Sequence, residues 1–116
     1  MSDNSKLSDL KASVIVEIYE SFADVGREGG VSWSETVVLD DRGTDEERAE
    51  ARAQDTETSW QELIDDSEWQ PELSFDWYFL DAIGFRYYLP AAMIRCVRSG
   101  YNNENIALCL TLVADW

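Results

Sequence analysis

Residues 80–90 read LDAIGFRYYLP, and the architecture of the chain turns on whether that run belongs to a pair of strands or to a helix. Just upstream, LSFDWYFLD (73–81) is short and aromatic, and GFRYYLP (84–90) is a second run of the same kind. Aromatic side chains favour pleated, half-buried surfaces, and a glycine between two such runs supplies the positive φ of a tight connection. The reading is therefore a β-hairpin with Gly84 in its turn. On it, Phe85, Tyr87 and Leu89 would share one face, and Arg86 and Tyr88 the other. Asp81 would accept a hydrogen bond from a turn amide or from Arg86. Pro90 fits the first position of a following helix, Ala91 to Arg98, with Met93, Ile94 and Val97 inward and Gly100 as its stop. Asp81, Gly84, Arg86 and Pro90 are thus expected to be structural, with an ion pair between Asp81 and Arg86 fixing the hairpin to its helix. The competing reading makes Arg86 an anion-binding or catalytic group.

Upstream the pattern is helical. Leu7, Leu10, Val14, Ile15, Ile18, Phe22 and Val25 recur at spacings of three and four, which predicts one helix face over residues 5–25, ended by Gly26. Ser32 with Glu35, and Thr44 with Glu47, each have the spacing of a capping box. They predict a short helix through about Asp40, stopped near Gly43, and a second over TDEERAEARAQ. That second helix is rich in Ala, Glu and Arg, so Arg48 and Arg52 read as part of a solvated face. Thr58 or Ser59 caps a third segment with Trp60, Leu63 and Ile64 inward. Asp65, Asp66 and Glu68 crowd its end, where the helix dipole prefers cations. The last segment, NNENIALCLTLVADW, fits a buried helix or strand.

The run FLDAIGFRYYLPA, residues 79–91, resembles the signature F-L-D-x-x-G-F-R-F/Y-Y-L-P-A of an uncharacterised family of small, mostly bacterial domains. Phe79, Leu80, Asp81, Gly84, Phe85, Arg86, Tyr87, Tyr88, Leu89, Pro90 and Ala91 all match. The likeness extends to the amphipathic N-terminal helix, to the connection at Gly29 to Ser32 and to the segment Trp60 to Leu63. It implies a shared fold and a bacterial or phage source, and it brings no established activity. The expected fold is α+β and helix-rich, with several helices packed around one short aromatic β-hairpin in a single domain, residues 1–116.

Composition narrows the function. A chain of 116 residues with 5 Trp, 5 Tyr and 4 Phe can bury one sizeable core. It carries 24 Asp and Glu against 9 Lys and Arg, a net charge of -15. Such a surface repels phosphate backbones and anionic lipid and attracts basic proteins. Neither direct nucleic-acid binding nor a membrane is expected. The N-terminus has no secretory pattern, so the expected location is cytoplasmic. Cys96 and Cys109 lack a metal-binding or redox spacing and read as small buried hydrophobes.

Histidine is absent, which removes Ser-His and Cys-His nucleophile pairs and most catalytic zinc sites. No phosphate-cradling glycine motif occurs. No catalytic residue, cofactor or metal ligand is therefore expected, and the chain reads as a non-enzyme, with a carboxylate-based enzyme as the minority reading. The favoured function is an acidic protein-binding module that inhibits a basic protein, such as a toxin or a nucleic-acid-binding defence effector. It would act as an immunity protein does, or as a phage inhibitor that mimics DNA charge. Its contact surface is placed at Asp45, Glu46, Glu47, Glu50, Asp55, Glu57, Glu62, Asp65, Asp66 and Glu68. The alternative is a non-catalytic accessory subunit that self-associates, and either form is expected to be a monomer or a homodimer.

Overall fold

The computed structural model of the protein describes residues 2–71 and 76–99. Four α-helices follow one another: α1 at Ser2–Ser21, α2 at Trp33–Asp40, α3 at Asp45–Gln54 and α4 at Ala82–Ser99. Short 3₁₀ turns lie at Trp60–Leu63 and Asp76–Phe79, and no strand occurs among the described residues. The expected α+β fold is thereby corrected to a helical one. Residues 82–90 open α4, and 76–79 form a 3₁₀ turn instead of the hairpin's first strand. The segment at 102–115 and Cys109 lie outside the described residues.

The burial of α4 gives its sequence the look of a strand. Phe85, Tyr87, Tyr88, Leu89, Pro90, Ala91, Ala92 and Ile94 are all buried, and only Arg86 breaks the run outward. A helix covered on nearly every side loses its 3.6-residue alternation, and its dense aromatics then look like strand. Local chemistry nevertheless specifies a helix start. The carboxylate of Asp81 accepts the Gly84 N–H at 2.8 Å, three residues on, as an N-cap does. It also accepts the Val31 N–H at 3.0 Å, tying the chain before α2 to the start of α4.

Gly84 serves a different purpose from the expected turn. It is helical, and a Cβ there would run into the Val31 carbonyl oxygen. A Cβ on Gly30 would in turn lie 2.7 Å from the Gly84 nitrogen. Two backbones therefore cross in contact, which only glycine on each side permits. Pro90 is also corrected: it lies inside α4 instead of at the first position of a helix, with its ring buried. Having no N–H, it leaves the Arg86 carbonyl without the usual donor four residues on.

The core gathers around α4. Trp60, Leu63, Ile64, Trp69 and Trp77 pack with it, and Ile15, Ile18, Phe22 and Val25 of the N-terminal segment close one side. Burying each large aromatic contributes about 2–3 kcal/mol. Trp33 is the centre of the aromatic contacts, with ring centroids 5.3, 5.0 and 5.2 Å from those of Trp69, Trp77 and Tyr88. Trp60 and Trp77 direct their indole N–H groups to the carbonyls of Phe22 (2.8 Å) and Pro71 (3.0 Å).

Helix α1 ends at Ser21, short of the expected Val25, and Phe22 and Val25 continue its apolar face through turn-like hydrogen bonds. The same face also runs the other way, where Leu7 and Leu10 are 51% and 62% exposed. Helices α2 and α3 pack as a pair. Glu35, buried on α2, reaches back to the Ser32 N–H and meets Arg52 at 2.7 Å and Arg48 at 3.1 Å. The expected solvated face of α3 is therefore its fastening: Arg52 also donates to the carbonyls of Gly30 and Glu28. Both capping-box glutamates reach back as the spacing predicts.

Candidate partner-binding cleft

The chain from Gln54 to Trp69 passes in front of α2 and the middle of α4 and leaves a cleft of about 490 Å³. Its aromatic wall is Trp33, Trp69 and Tyr88. Asp55, Glu57, Glu62, Asp66 and Glu68 bring five carboxylates to it. No Lys or Arg is among the described residues that line it. Among the described residues, no group of three His, Cys, Asp or Glu is placed to hold a metal ion, so the acids surround the opening without converging.

The inner acids are held by protein donors. Asp55 accepts the Ser34 N–H at 2.8 Å and the Ser34 hydroxyl at 2.7 Å, which caps the first turn of α2 from outside the helix. Glu57 accepts from Arg27 at 2.8 Å and from the Tyr87 hydroxyl at 3.3 Å. Burial pushes the Glu57 carboxyl above its ordinary range, and Asp55 adds to this while Arg27 opposes it. Tyr88 accepts the Trp33 N–H at 2.7 Å on its hydroxyl, and burial pushes that phenol up to about 12. Arg27 stands behind this group, 5.7 Å from the centroid of the Tyr87 ring.

The outer acids are freer. Glu62 spends one oxygen on the Thr58 hydroxyl and the amides of Thr58 and Ser59, and the Thr58 hydroxyl is the first cause that holds its carboxyl below the usual range. Among the described residues, Asp66 accepts only the Glu68 N–H, on one oxygen, and the Glu68 carboxylate is exposed and makes no hydrogen bond or ion pair. Trp69 is 6% exposed and its Nε1–H has no acceptor among the described residues. The Arg95 guanidinium stands 5.4 Å from the centroid of the Trp69 ring and donates to the carbonyls of Leu63 (3.1 Å) and Asp66 (2.8 Å). These bonds, with Arg98 on Asp65 at 2.9 Å, supply internally the positive charge that the acidic segment end calls for.

The structure thus sorts the ten acids proposed for partner binding. Asp55, Glu57, Glu62, Asp66 and Glu68 meet at the cleft. Asp45, Glu46, Glu47 and Glu50 lie exposed on α3, with Glu47 closing the Thr44 cap, and Asp65 pairs with Arg98. Arg86 is exposed and forms no ion pair with Asp81, whose carboxylate is taken by backbone amides. It borders a shallow depression beside Asp24, Gly26 and Glu28, so its surroundings are acidic. The tryptophans that form the cleft wall were legible only as aromatic residues, since nothing in their spacing shows that Trp33 and Trp69 meet.

The molecule is a helical domain with an aromatic-walled, acidic cleft among its described residues. Residues 10–114 match the family described as "Family of unknown function (DUF6714)", and the chain belongs to that family. Comparison with curated proteins and with solved structures returns no match. No helix among the described residues is long and apolar enough to cross a membrane.

Proposed function

We propose that the protein is an acidic protein-binding module that inhibits a basic protein, such as a toxin or a nucleic-acid-binding defence effector, by covering its positive surface. The observation that carries this reading is the cleft, where five carboxylates border an aromatic wall with no cation among the described lining residues. Carboxylates steer a basic partner from a distance, and buried aromatic walls supply the contact energy of a hot spot. The net charge of -15 extends that attraction over the rest of the surface. The test is capture from the native host at low salt with elution by a salt step, followed by binding of the purified captured protein. A variant with Glu62, Asp66 and Glu68 changed to lysine serves as control. Binding by the native chain, weakened by salt and lost in the variant, is the expected result, whereas equal binding by both forms would remove the cleft from the interface.

A second reading, a self-associating accessory subunit, is favoured by the exposure of Leu7 and Leu10 on α1. Sedimentation across a concentration series separates the two: Leu10→Glu would dissolve a homodimer formed through that face and leave a monomer unchanged.

A further inference from the structure

We infer that the cleft is a receptor for a guanidinium group, carried on an arginine side chain of the partner, and this inference rests on the proposed binding function. Three independent features of the cleft agree. The first is charge: the carboxylates of Asp66 and Glu68 stand at an opening lined by no described cation, and Glu68 has no partner of its own among the described residues. A planar guanidinium with five donors can satisfy two such carboxylates together, which a point-like ammonium does less well.

The second feature is the wall. The molecule already places guanidinium groups near two of its aromatic rings, Arg95 near Trp69 and Arg27 near Tyr87, at 5.4 and 5.7 Å from the centroids. Of the three wall rings Trp69 and Tyr88 are buried and Trp33 is only partly so, which makes Trp33 the ring for a partner's guanidinium to meet, and desolvation in the cleft strengthens that contact. The third feature is the orphan donor. Trp69 is more than nine-tenths buried, it forms part of the wall, and its Nε1–H has no acceptor among the described residues, a costly condition that a ligand oxygen would relieve. An arginine residue brings both parts, a guanidinium for the acids and a main-chain carbonyl for the indole. A volume of about 490 Å³ lies within the range that admits such a group.

The test follows the indole N–H resonances of the ¹⁵N-labelled full chain during titration with acetyl-Gly-Arg-Gly-amide. The controls are the lysine peptide, the citrulline peptide and free agmatine. The arginine peptide is expected to shift the Trp33 and Trp69 signals, with that of Trp69 moving downfield as it gains an acceptor, at the roughly millimolar concentrations suited to one side chain. Citrulline, which keeps the shape and loses the charge, should give no saturable shift. Agmatine, which lacks the carbonyl, should bind more weakly and leave the Trp69 N–H in place. The Asp66→Asn, Glu68→Gln double variant should bind the arginine peptide roughly tenfold more weakly.

Equal shifts from citrulline and arginine would overturn the charge recognition, and agmatine binding as tightly as the peptide would overturn the protein-borne source. Poly-arginine separates the failure of this inference from that of the binding function. If the polymer binds while the cleft indoles stay still, the acidic surface binds partners and the guanidinium receptor falls. If neither polymer nor peptide binds, both readings fall together.

Discussion

Gly84 illustrates how much geometry can rest on the absence of one carbon. A Cβ there meets the carbonyl of Val31, so Gly84→Ala should destabilise by about 2 kcal/mol despite alanine's better helix propensity. Urea unfolding checks this, and a stabilised variant would mean that the two backbones do not touch. Arg42 presents the reverse case. It follows α2 with a φ of 55°, while Gly43 donates to Val38 at 2.8 Å and Arg42 to Leu39 at 3.2 Å, as in a Schellman end. The sequence points to Gly43 as the stop, yet the left-handed residue is the arginine before it. Arg42→Gly should therefore stabilise by about 0.5–1 kcal/mol, read as a rise in thermal midpoint. Tyr88→Phe removes the acceptor of the Trp33 N–H and should cost about 1–3 kcal/mol by leaving a partly buried amide unpaired. Asp81 and Gly84 were legible as structural residues, but their work was not, because a contact with Val31, 50 positions away, leaves no trace in local pattern.

Helices α2 and α3 are readable from their caps because a capping box is local: Ser32 lies within one turn of Glu35, and Thr44 within one turn of Glu47. Helix α4 looks like a strand in sequence for the opposite reason. Its partners surround its middle turns, and burial there hides the periodicity from which a helix is recognised. The pairing of Arg48 and Arg52 with Glu35 was hidden as well, since arginine four residues apart on an alanine-rich helix usually faces water. This pairing has a pH signature. Burial by itself raises the Glu35 carboxyl, but the Ser32 amide, Arg52 and Arg48 outweigh it and hold it below its ordinary range. A depressed carboxyl contributes stability above its unfolded value, and that contribution is lost as pH falls through the lower folded value. Glu35→Gln should thus be less stable than the native chain at about pH 7, with the gap closing towards about pH 3. Glu57, pushed upward, has the opposite sign: its contribution is present below the unfolded value and is lost as pH rises through the folded one. Urea midpoints of both glutamine variants across this interval separate the two, and parallel profiles would contradict the assignment.

Across the whole molecule, the acidic excess sets a background against which these contacts act. A net charge of -15 on 116 residues repels itself, and salt screens that repulsion. The thermal midpoint should therefore rise with added sodium chloride, even as binding to a basic partner weakens. Composition made this imbalance plain from the start, whereas the cleft that concentrates it required α2, the Gln54 to Trp69 segment and α4 to be brought together in space. The backbone crossing at Gly30 and Gly84 has a kinetic meaning too. Asp81 holds the Val31 amide, and Tyr88 holds that of Trp33, so the 50-position span between them is a ring closed by a noncovalent clasp. Closing a ring of that length costs about 3.5 kcal/mol in chain entropy beyond a constant. Everything strung on the ring, including α2, α3 and the acidic cleft, is released when the clasp opens. Native-state hydrogen exchange should find the amides of Val31, Trp33 and Gly84 opening as one cooperative unit, with Gly84→Ala accelerating all three together.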